Sequence, residues 1–372
     1  MIWKYPARDN GWGNGPGRWF PRGITIFVLL AVAGCGGGAS PAPSAGSPAP
    51  SLAPPAVAVS GTPTPGGSSK TMPDQSATQW FSWSAPVPVT SNPPLTSVSC
   101  PTATTCMTAD FGGNVRIYAG GTWQAAQQVD NGSGTGLTEL SCTAPTWCAG
   151  VDWSGNADIY ANGSWAPVQA VDPNGGGLYS LSCVGSFSPM CVAGDHDGRV
   201  VVYRGGAWSP VANVMKFEIS GVSCASTTFC VAVGTAGGAS VYNGSAWSTT
   251  LYFKGLTFTS ISCPKVGWCL ASSGGSIVDF SGGVWHNIAE FMPDGAGSAA
   301  ISCVSGTYLC TVADDAGNVV TYAPGGWSPQ KMIDTITSTG PNNTPAIEDV
   351  SCPTPSFCMA VDASGNAITG KH

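Results

Sequence analysis

The chain is poor in charged residues and in histidine. Charged side chains make up 9% of the 372 residues, and the three histidines, His196, His286 and His372, lie in different places without a nucleophile beside them. A Ser-His-Asp site is therefore unsupported. The sequence also lacks the Walker, Rossmann and HExxH patterns that signal nucleotide, dinucleotide or zinc-protease sites. We assign no catalytic residue, no cofactor and no metal from the sequence.

Basic residues are also scarce relative to acidic ones. The chain has 13 Lys and Arg against 20 Asp and Glu. Without the four basic residues and Asp9 of residues 1–34, 9 basic residues remain against 19 acidic ones. Such an excess disfavours nucleic acid and anionic lipid surfaces as partners, because both carry negative charge.

The apolar run near the N-terminus, residues 24–33, is too short to cross a bilayer. It follows four basic residues, as the apolar part of a secretory signal does. It ends in Val32-Ala33-Gly34-Cys35, which resembles the bacterial lipobox. We expect residues 1–34 to be a lipoprotein signal peptide, and Cys35 to carry the lipid that anchors the exported protein to the outer leaflet of the bacterial cell membrane. An ordinary signal peptide with a chance cysteine is the alternative.

The segment after Cys35 is rich in Gly, Ala, Ser and Pro and carries almost no charge or large apolar side chain. Such a composition cannot bury enough surface to fold. We therefore expect residues 35–77 to be a disordered tether behind the lipidated cysteine, and residues 78–372 to be the folded domain.

Seven copies of one unit fill the chain from residue 96 onward. Each copy contains two cysteines: Cys100 and Cys106, Cys142 and Cys148, Cys183 and Cys191, Cys224 and Cys230, Cys263 and Cys269, Cys303 and Cys310, and Cys352 and Cys358. The first cysteines recur every 39 to 49 residues, a period typical of four-stranded propeller blades. The sequence thus predicts an all-β fold, a seven-bladed β-propeller with blades of about 40 residues.

The cysteine pairs predict one disulfide per blade. Each pair brackets the hairpin between the first two strands, where antiparallel neighbours lie at disulfide distance. The export signal indicates an oxidising compartment. A zinc site would require closer cysteine spacing and histidine partners. Of the 15 cysteines only Cys35 is left unpaired, which agrees with its lipidation.

The seventh copy stops before its fourth strand. In six copies that strand begins at a tryptophan: Trp123, Trp165, Trp208, Trp247, Trp285 and Trp327. A similar Trp83-Ser84 stands at the start of the folded part. We expect the N-terminal strand to complete the last blade and to close the ring, which would remove the free sheet edges.

These units resemble those of the WD40-like and BNR (sialidase-like) propeller superfamily, and in particular the Cys-paired repeats of secreted actinobacterial lipoproteins. The resemblance covers residues 78–370 and implies the fold more than an activity. A sialidase would need three arginines at the central channel, and Arg116, Arg199 and Arg204 occupy repeat positions that keep them apart. The Asp-box of that family is also eroded in this chain.

A second repeated pattern marks the turn between the second and third strands. Five copies read Asp-x-x-Gly-Asn or Asp-x-x-Gly-Arg, starting at Asp110, Asp152, Asp195, Asp314 and Asp362. One interpretation is structural, with Asp capping backbone N–H groups of the turn. The other is functional, because these turns join the inter-blade loops at the end of the ring opposite the disulfides. We call that end the turn face and the other end the disulfide face.

The turn face concentrates carboxylates, amides and aromatic rings, which suit a sugar, a cation or a basic peptide. Our candidate ligand-binding residues are Asp110, Asp152, Trp153, His196 and Asp197. Further polar and aromatic residues are expected around them, namely Phe111, Asp130, Asp172, Asn174, Tyr179, Asp294, Asp334, Asn342 and Asn343.

The sequence favours a non-enzymatic, monomeric surface propeller that binds a glycan or a protein of the cell envelope. Two alternatives stay open. One is a carbohydrate-active hydrolase or lyase on the same scaffold, which would need two carboxylates close together. The other is an assembly scaffold for envelope proteins.

Overall fold

Each of the seven repeats forms one antiparallel sheet of four strand positions, which confirms the predicted seven-bladed propeller. The computed structural model describes residues 80–91, 93–130, 136–290, 297–335 and 347–372, and these residues contain no helix. The signal peptide, Cys35 and the tether predicted for residues 1–77 lie outside the described residues.

The strands follow the repeat in order from the centre of the ring outward. The innermost strands lead into the first cysteine: β3 (Leu95–Thr102), β8 (Leu137–Ala144), β13 (Leu178–Val184), β18 (Ile219–Ser226), β22 (Phe258–Lys265), β26 (Ser298–Cys303) and β31 (Ile347–Thr354). The second strands contain the second cysteine: β4 (Thr105–Asp110), β9 (Trp147–Asp152), β14 (Met190–Asp195), β19 (Phe229–Gly234), β23 (Trp268–Ser273), β27 (Cys310–Asp314) and β32 (Phe357–Asp362).

The third and fourth positions complete each blade. The third strands are β5 (Asn114–Ala119), β10 (Asn156–Ala161), β15 (Arg199–Arg204), β20 (Gly238–Tyr242), β24 (Ser276–Ser281), β28 (Asn318–Ala323) and β33 (Asn366–Lys371). The outer position of six blades holds β6 (Thr122–Trp123), β7 (Gln127–Gln128), β11 (Ser164–Trp165), β12 (Gln169–Ala170), β16 (Ala207–Trp208), β17 (Ala212–Asn213), β21 (Leu251–Tyr252), β25 (Val284–Glu290), β29 (Gly326–Trp327) and β30 (Lys331–Met332). In the seventh blade it holds β1 (Ser82–Trp83) and β2 (Val87–Pro88).

The N-terminal strand closes the ring as predicted. Trp83 lies opposite Gly370 of β33, where the other blades place their outer tryptophan opposite Tyr or Phe. The backbone N–H of Thr369 donates to the Oγ of Ser84 at 3.0 Å, and Val202 donates to Ser209 in the same way in the third blade. The side chain of Phe81 is buried in the apolar cluster between the sixth and seventh blades. The first and last strands of the domain therefore share one sheet.

A belt of hydrogen bonds joins every innermost strand to the next. The residue before each first cysteine is serine, and its Oγ accepts a hydrogen bond from the backbone N–H of the first cysteine in the following blade. The seven donor and acceptor pairs, all 2.9 to 3.0 Å apart, are Cys142 and Ser99, Cys183 and Ser141, Cys224 and Ser182, Cys263 and Ser223, Cys303 and Ser262, Cys352 and Ser302, and Cys100 and Ser351. This belt satisfies backbone groups that have no sheet partner at the centre of the ring.

All seven predicted disulfides are present, one in each blade. Cys142 and Cys148 lie directly opposite each other in the register of β8 and β9, with their Cα atoms 4.0 Å apart. At the other end of the same pair of strands, Leu137 lies opposite Asp152. The disulfides and the Asp turns thus occupy opposite faces of the ring.

Apolar clusters fill the spaces between neighbouring blades. One, for example, combines Val151 and Ala157 of the second blade with Leu178 and Ala193 of the third. The outer tryptophans are half-buried and pack against these clusters, as Trp208 does here. Burial between blades, more than within a single sheet, therefore stabilises the ring.

Candidate functional site

The Asp turns are built around the buried carboxylate. The Oδ1 atom of Asp152 accepts hydrogen bonds from the backbone N–H groups of Ser154 and Asn156, both at 2.8 Å, and its Oδ2 atom accepts one from Asn156 Nδ2 at 2.7 Å. Equivalent bonds surround the carboxylates of Asp110, Asp195, Asp314 and Asp362. Each carboxylate thus holds the backbone of its turn and the side chain four residues later.

This geometry supports the structural interpretation of Asp110 and Asp152, in which the carboxylate caps the backbone N–H groups of its turn. Both residues are fully buried. The carboxylate of Asp110 also forms an ion pair with Arg116, at 2.8 Å. We expected both aspartates to contact a ligand directly, but neither exposes an atom to solvent in this structure. Their exposed neighbours are the residues that a ligand would meet.

The inter-blade loops add a second layer of aspartates next to the turns. The backbone N–H of Asp172 donates to the carbonyl of Gly155 at 2.8 Å, and a Cβ at Gly155 would lie only 2.1 Å from the carbonyl oxygen of Asp172. Only glycine permits this approach together with its positive φ of 79°. Asp130 and Asp334 make the same backbone bond to Gly113 and Gly317. The predicted loop residues Asp294, Asn342 and Asn343 lie outside the described residues.

Arg199 bridges two of these acidic layers. Its Nε atom lies next to Asp195 Oδ2, at 2.6 Å, and its NH2 group is 3.1 Å from Asp172 Oδ2 and 3.3 Å from Asp197 Oδ2. Burial raises the pKa of Asp172 to about 6, although the guanidinium of Arg199 acts in the opposite direction. Arg116 is held by Asp110, and Arg204 donates to the carbonyl of Thr227 on the disulfide face. The three arginines are therefore engaged at separate places.

A buried carboxyl lies in the space between the first and second blades. Asp158, on β10, is fully buried, and neither of its oxygen atoms has a hydrogen-bond partner. Burial, together with the nearby charges of Asp130 and Asp152, raises the pKa of Asp158 to about 7. A neutral carboxyl is the form that this environment favours.

Four aromatic rings form a row across three blades on the turn face. Phe111 lies 6.5 Å from Trp153, Trp153 lies 4.8 Å from Tyr179, and Tyr179 lies 5.7 Å from His196, all between ring centroids. Phe111, Trp153 and His196 come from the Asp turns of the first three blades, whereas Tyr179 comes from the innermost strand of the third. We call this set the aromatic row.

Carboxylates flank the row at its third-blade end. The side chains of His196 and Asp197 are about half exposed, at 54% and 50%. His196 Nδ1 lies 3.6 Å from Asp197 Oδ1, and His196 Nε2 lies 4.0 Å from Glu218 Oε2. Burial raises the pKa of Glu218, and His196 partly offsets this effect. Stacking surfaces next to ionisable oxygens suit a sugar ring or a cationic side chain.

The structure thus brings together Trp153, His196 and Asp197 of the five candidates, and leaves Asp110 and Asp152 beneath them. Tyr179 was expected only as part of the surroundings and proves to be the link between Trp153 and His196.

A second polar group, which the sequence analysis did not find, lies on the innermost strands. The Oγ atom of Ser97 is 3.0 Å from both Glu139 Oε1 and Asp349 Oδ2. One hydroxyl proton can be donated to only one carboxylate at a time. These residues stand three positions before the first cysteine of their blades, where the other copies have Ser180, Gly221, Ser260 and Ala300. Only the second and seventh copies have an acidic residue at this position, and these two copies flank the first in a closed ring. This exception to the repeat was the sequence signal that could have identified the group.

Two further properties concern the described ranges only. No helix there is long and apolar enough to cross a membrane. The same residues contain no group of three His, Cys, Asp or Glu side chains arranged to hold a metal ion.

Similarity to known proteins is confined to the fold. No protein-family model matches the sequence, and no curated protein is significantly similar to it. Among solved structures, those of U3-55K and of the RRP9 WD40 repeats superpose with a TM-score of 0.63 each. Their identities are 11% and 10%, and the alignments cover 75% of this chain and 95% and 94% of theirs. The chain therefore has the fold of a WD40-repeat propeller, and its resemblance to sialidase-like and to secreted Cys-paired repeats stays a prediction.

Proposed function

We propose that this protein is a lipid-anchored, extracytoplasmic binding module whose turn face holds a glycan or a protein of the cell envelope. The observation that carries the proposal is the aromatic row flanked by Asp197 and Glu218. It offers stacking surface and charged hydrogen-bond acceptors across three adjacent blades on one face. Propellers of the WD40 type are widely used as such scaffolds, although fold alone does not assign a ligand.

The position of the N-terminal strand supports this orientation. Ser82 lies opposite Lys371, and Pro88 lies opposite Asn366. The chain therefore enters the domain at the disulfide face and runs toward the turn face. An anchor attached through residues 35–77 would join the domain at the disulfide face and leave the turn face free of the attachment point.

Binding and pull-down assays test the proposal directly. We expect the exported protein to retain soluble cell-wall glycan fragments, or to capture one envelope protein, without releasing a product. A screen in which neither glycans nor envelope proteins are retained would contradict a binding role.

A carbohydrate-active hydrolase is the second candidate, favoured by the approach of Glu139 and Asp349 to Ser97. Most glycosidases use two carboxylates a few ångströms apart as catalytic residues. The contacts of Asp349 argue against it, because its two oxygens also accept hydrogen bonds from the backbone N–H groups of Val98 and Val350. Release of shortened glycans by the parent, lost in Glu139→Gln, would favour the hydrolase. A stoichiometric protein complex would instead favour the assembly scaffold.

A further inference from the structure

The two faces of the ring differ sharply in charge. The seven disulfide hairpins, at residues 100–106, 142–148, 183–191, 224–230, 263–269, 303–310 and 352–358, contain no Asp or Glu. Neither do the hairpins between the third and fourth strands, at residues 119–122, 161–164, 204–207, 242–247, 281–284 and 323–326. The disulfide face instead carries Arg204, Lys265 and Lys371. The acid excess of the chain therefore belongs to the turn face and the centre of the ring.

Exposed apolar side chains project from the same basic face. Phe187, at the tip of the third disulfide hairpin, is fully exposed, and Val266 and Tyr308 are 64% and 42% exposed. Phe187 and Tyr308 stand in the two longest disulfide hairpins, in which the cysteines are 8 and 7 residues apart instead of 6. Each of the two longer hairpins thus carries an aromatic side chain that is exposed to solvent.

One of these positions combines an aromatic ring with a positive charge. The Lys265 ammonium lies 3.7 Å from the centre of the Tyr308 ring, which also packs on Trp268 at 5.0 Å. Aromatic and basic side chains together are typical of protein surfaces that meet a lipid headgroup region.

Both ends of the domain also lie at the disulfide face. Ser82 pairs with Lys371, and the backbone N–H of His372 donates to the carbonyl of Ser356 in the last disulfide hairpin. The N-terminal strand of the domain therefore begins at the face that carries the exposed apolar residues. Residues 35–77 would connect this face to the proposed anchor at Cys35.

We propose that the disulfide face docks on the surface of an anionic lipid bilayer, with Phe187, Val266 and Tyr308 inserted among the headgroups and Arg204, Lys265 and Lys371 next to lipid phosphates. The inference rests on the membrane location in the proposed function, but not on lipidation itself. The negative charge of the whole chain does not oppose it, because that charge lies mainly on the other face.

Vesicle co-sedimentation of the shed form of the Cys35→Ser chain, which carries neither the lipid nor residues 1–34, tests this docking. The vesicles contain phosphatidylcholine alone or phosphatidylcholine with phosphatidylglycerol. We expect binding to the anionic vesicles that weakens with added salt. The Phe187→Ser, Val266→Ser, Tyr308→Ser triple variant should bind roughly tenfold more weakly, because apolar surface and its position among headgroups are lost.

The control changes two exposed apolar residues on the other face. Phe217 and Tyr252 are each 47% exposed, and Phe217→Ser with Tyr252→Ser should leave vesicle binding unchanged. Absence of binding by the parent, or equal binding by the triple variant, would overturn the proposal. So would self-association of the parent that the triple variant abolishes, since a second copy would then be the occupant. Ligand binding at the turn face is measured separately, so either proposal can fail without the other.

Discussion

The Oγ atom of Ser351 accepts a hydrogen bond from the backbone N–H of Cys100 at 2.9 Å, although 251 residues separate them in the chain. This bond is the closing member of the belt that joins the seven innermost strands. It links the seventh blade to the first at the centre of the ring, while Trp83 closes the same blade at its outer edge. The ring is therefore closed twice, by the innermost strands and by the N-terminal strand.

Removal of this closing bond should destabilise the fold measurably. In Ser351→Ala the N–H of Cys100 loses its partner, and we expect a loss of about 0.5–1.5 kcal/mol in the free energy of unfolding. Urea denaturation measures it. Ser154→Ala, at an exposed position of a turn, is the control, and an equal effect in the two variants would contradict the role of the belt.

The closure at the outer edge should matter more. Phe81 is buried in the cluster between the sixth and seventh blades, and Phe81→Ala should cost about 3 to 5 kcal/mol. Thermal unfolding of this variant can be compared with that of Phe217→Ala, which changes a half-exposed ring. A melting temperature for Phe81→Ala as high as that of the control would show that the N-terminal strand is dispensable.

The fold was predictable because its signals repeat. Seven cysteine pairs in phase identify the blades, and the missing tryptophan of the last copy identifies Trp83 as its replacement. The Ser–Cys belt was visible as a repeated dipeptide, but its meaning depends on the register between neighbouring blades, which no local pattern contains. The same limit applies to Ser97, where Glu139 and Asp349 meet across three blades.

The candidate site was predictable in part. The turn pattern placed Trp153, His196 and Asp197 on one face. It did not separate the capping carboxylate of Asp152, at the first position of its turn, from the exposed one of Asp197, at the third position, because the sequence does not give the exposure of a side chain. Arg199 begins β15, and its guanidinium pairs with Asp172 and Asp195, contacts that the repeat pattern does not contain.

Stability should depend on pH through Asp158. Because the folded state keeps this proton up to about pH 7, and the unfolded state releases it near pH 4, the contribution of Asp158 is fully present below pH 4 and is lost as the pH rises to about 7. The slope is about 1.4 kcal/mol per pH unit at most. Asp158→Asn should remove this part of the slope and be more stable than the parent at pH 8.

Urea denaturation from pH 4 to pH 8 checks this prediction. Asp197→Asn, at an exposed carboxylate, controls for the loss of one negative charge. If the parent and Asp158→Asn show parallel pH profiles, the buried carboxyl does not titrate as the structure indicates.

The anchor makes a separate prediction. Because only the Cys35 thiol follows the lipobox-like residues, Cys35→Ala should prevent lipidation and leave the protein either uncleaved or shed. Detergent-phase partitioning of whole-cell extracts distinguishes the two forms. Partitioning and processing of the variant like those of the parent would mean that Cys35 is not the lipidated residue.

The binding face can be tested by changing residues on each end of the ring. Trp153→Ala with Asp197→Ala removes one stacking ring and one exposed carboxylate of the aromatic row, and each loss should weaken binding by about 1–3 kcal/mol. Asp197 is half exposed and Trp153 is partly buried against Tyr179, so the melting temperature of the double variant is measured beside its affinity.

The decisive measurement is a calorimetric titration of the glycan or protein that the binding screen retains. It compares this double variant with a control, Thr104→Ala with Thr227→Ala, which changes two exposed residues of the disulfide hairpins. We predict a clear loss of affinity in the Trp153 and Asp197 variant and parental affinity in the Thr104 and Thr227 variant. Parental affinity in the first, with loss in the second, would place the ligand on the disulfide face and contradict the proposed function.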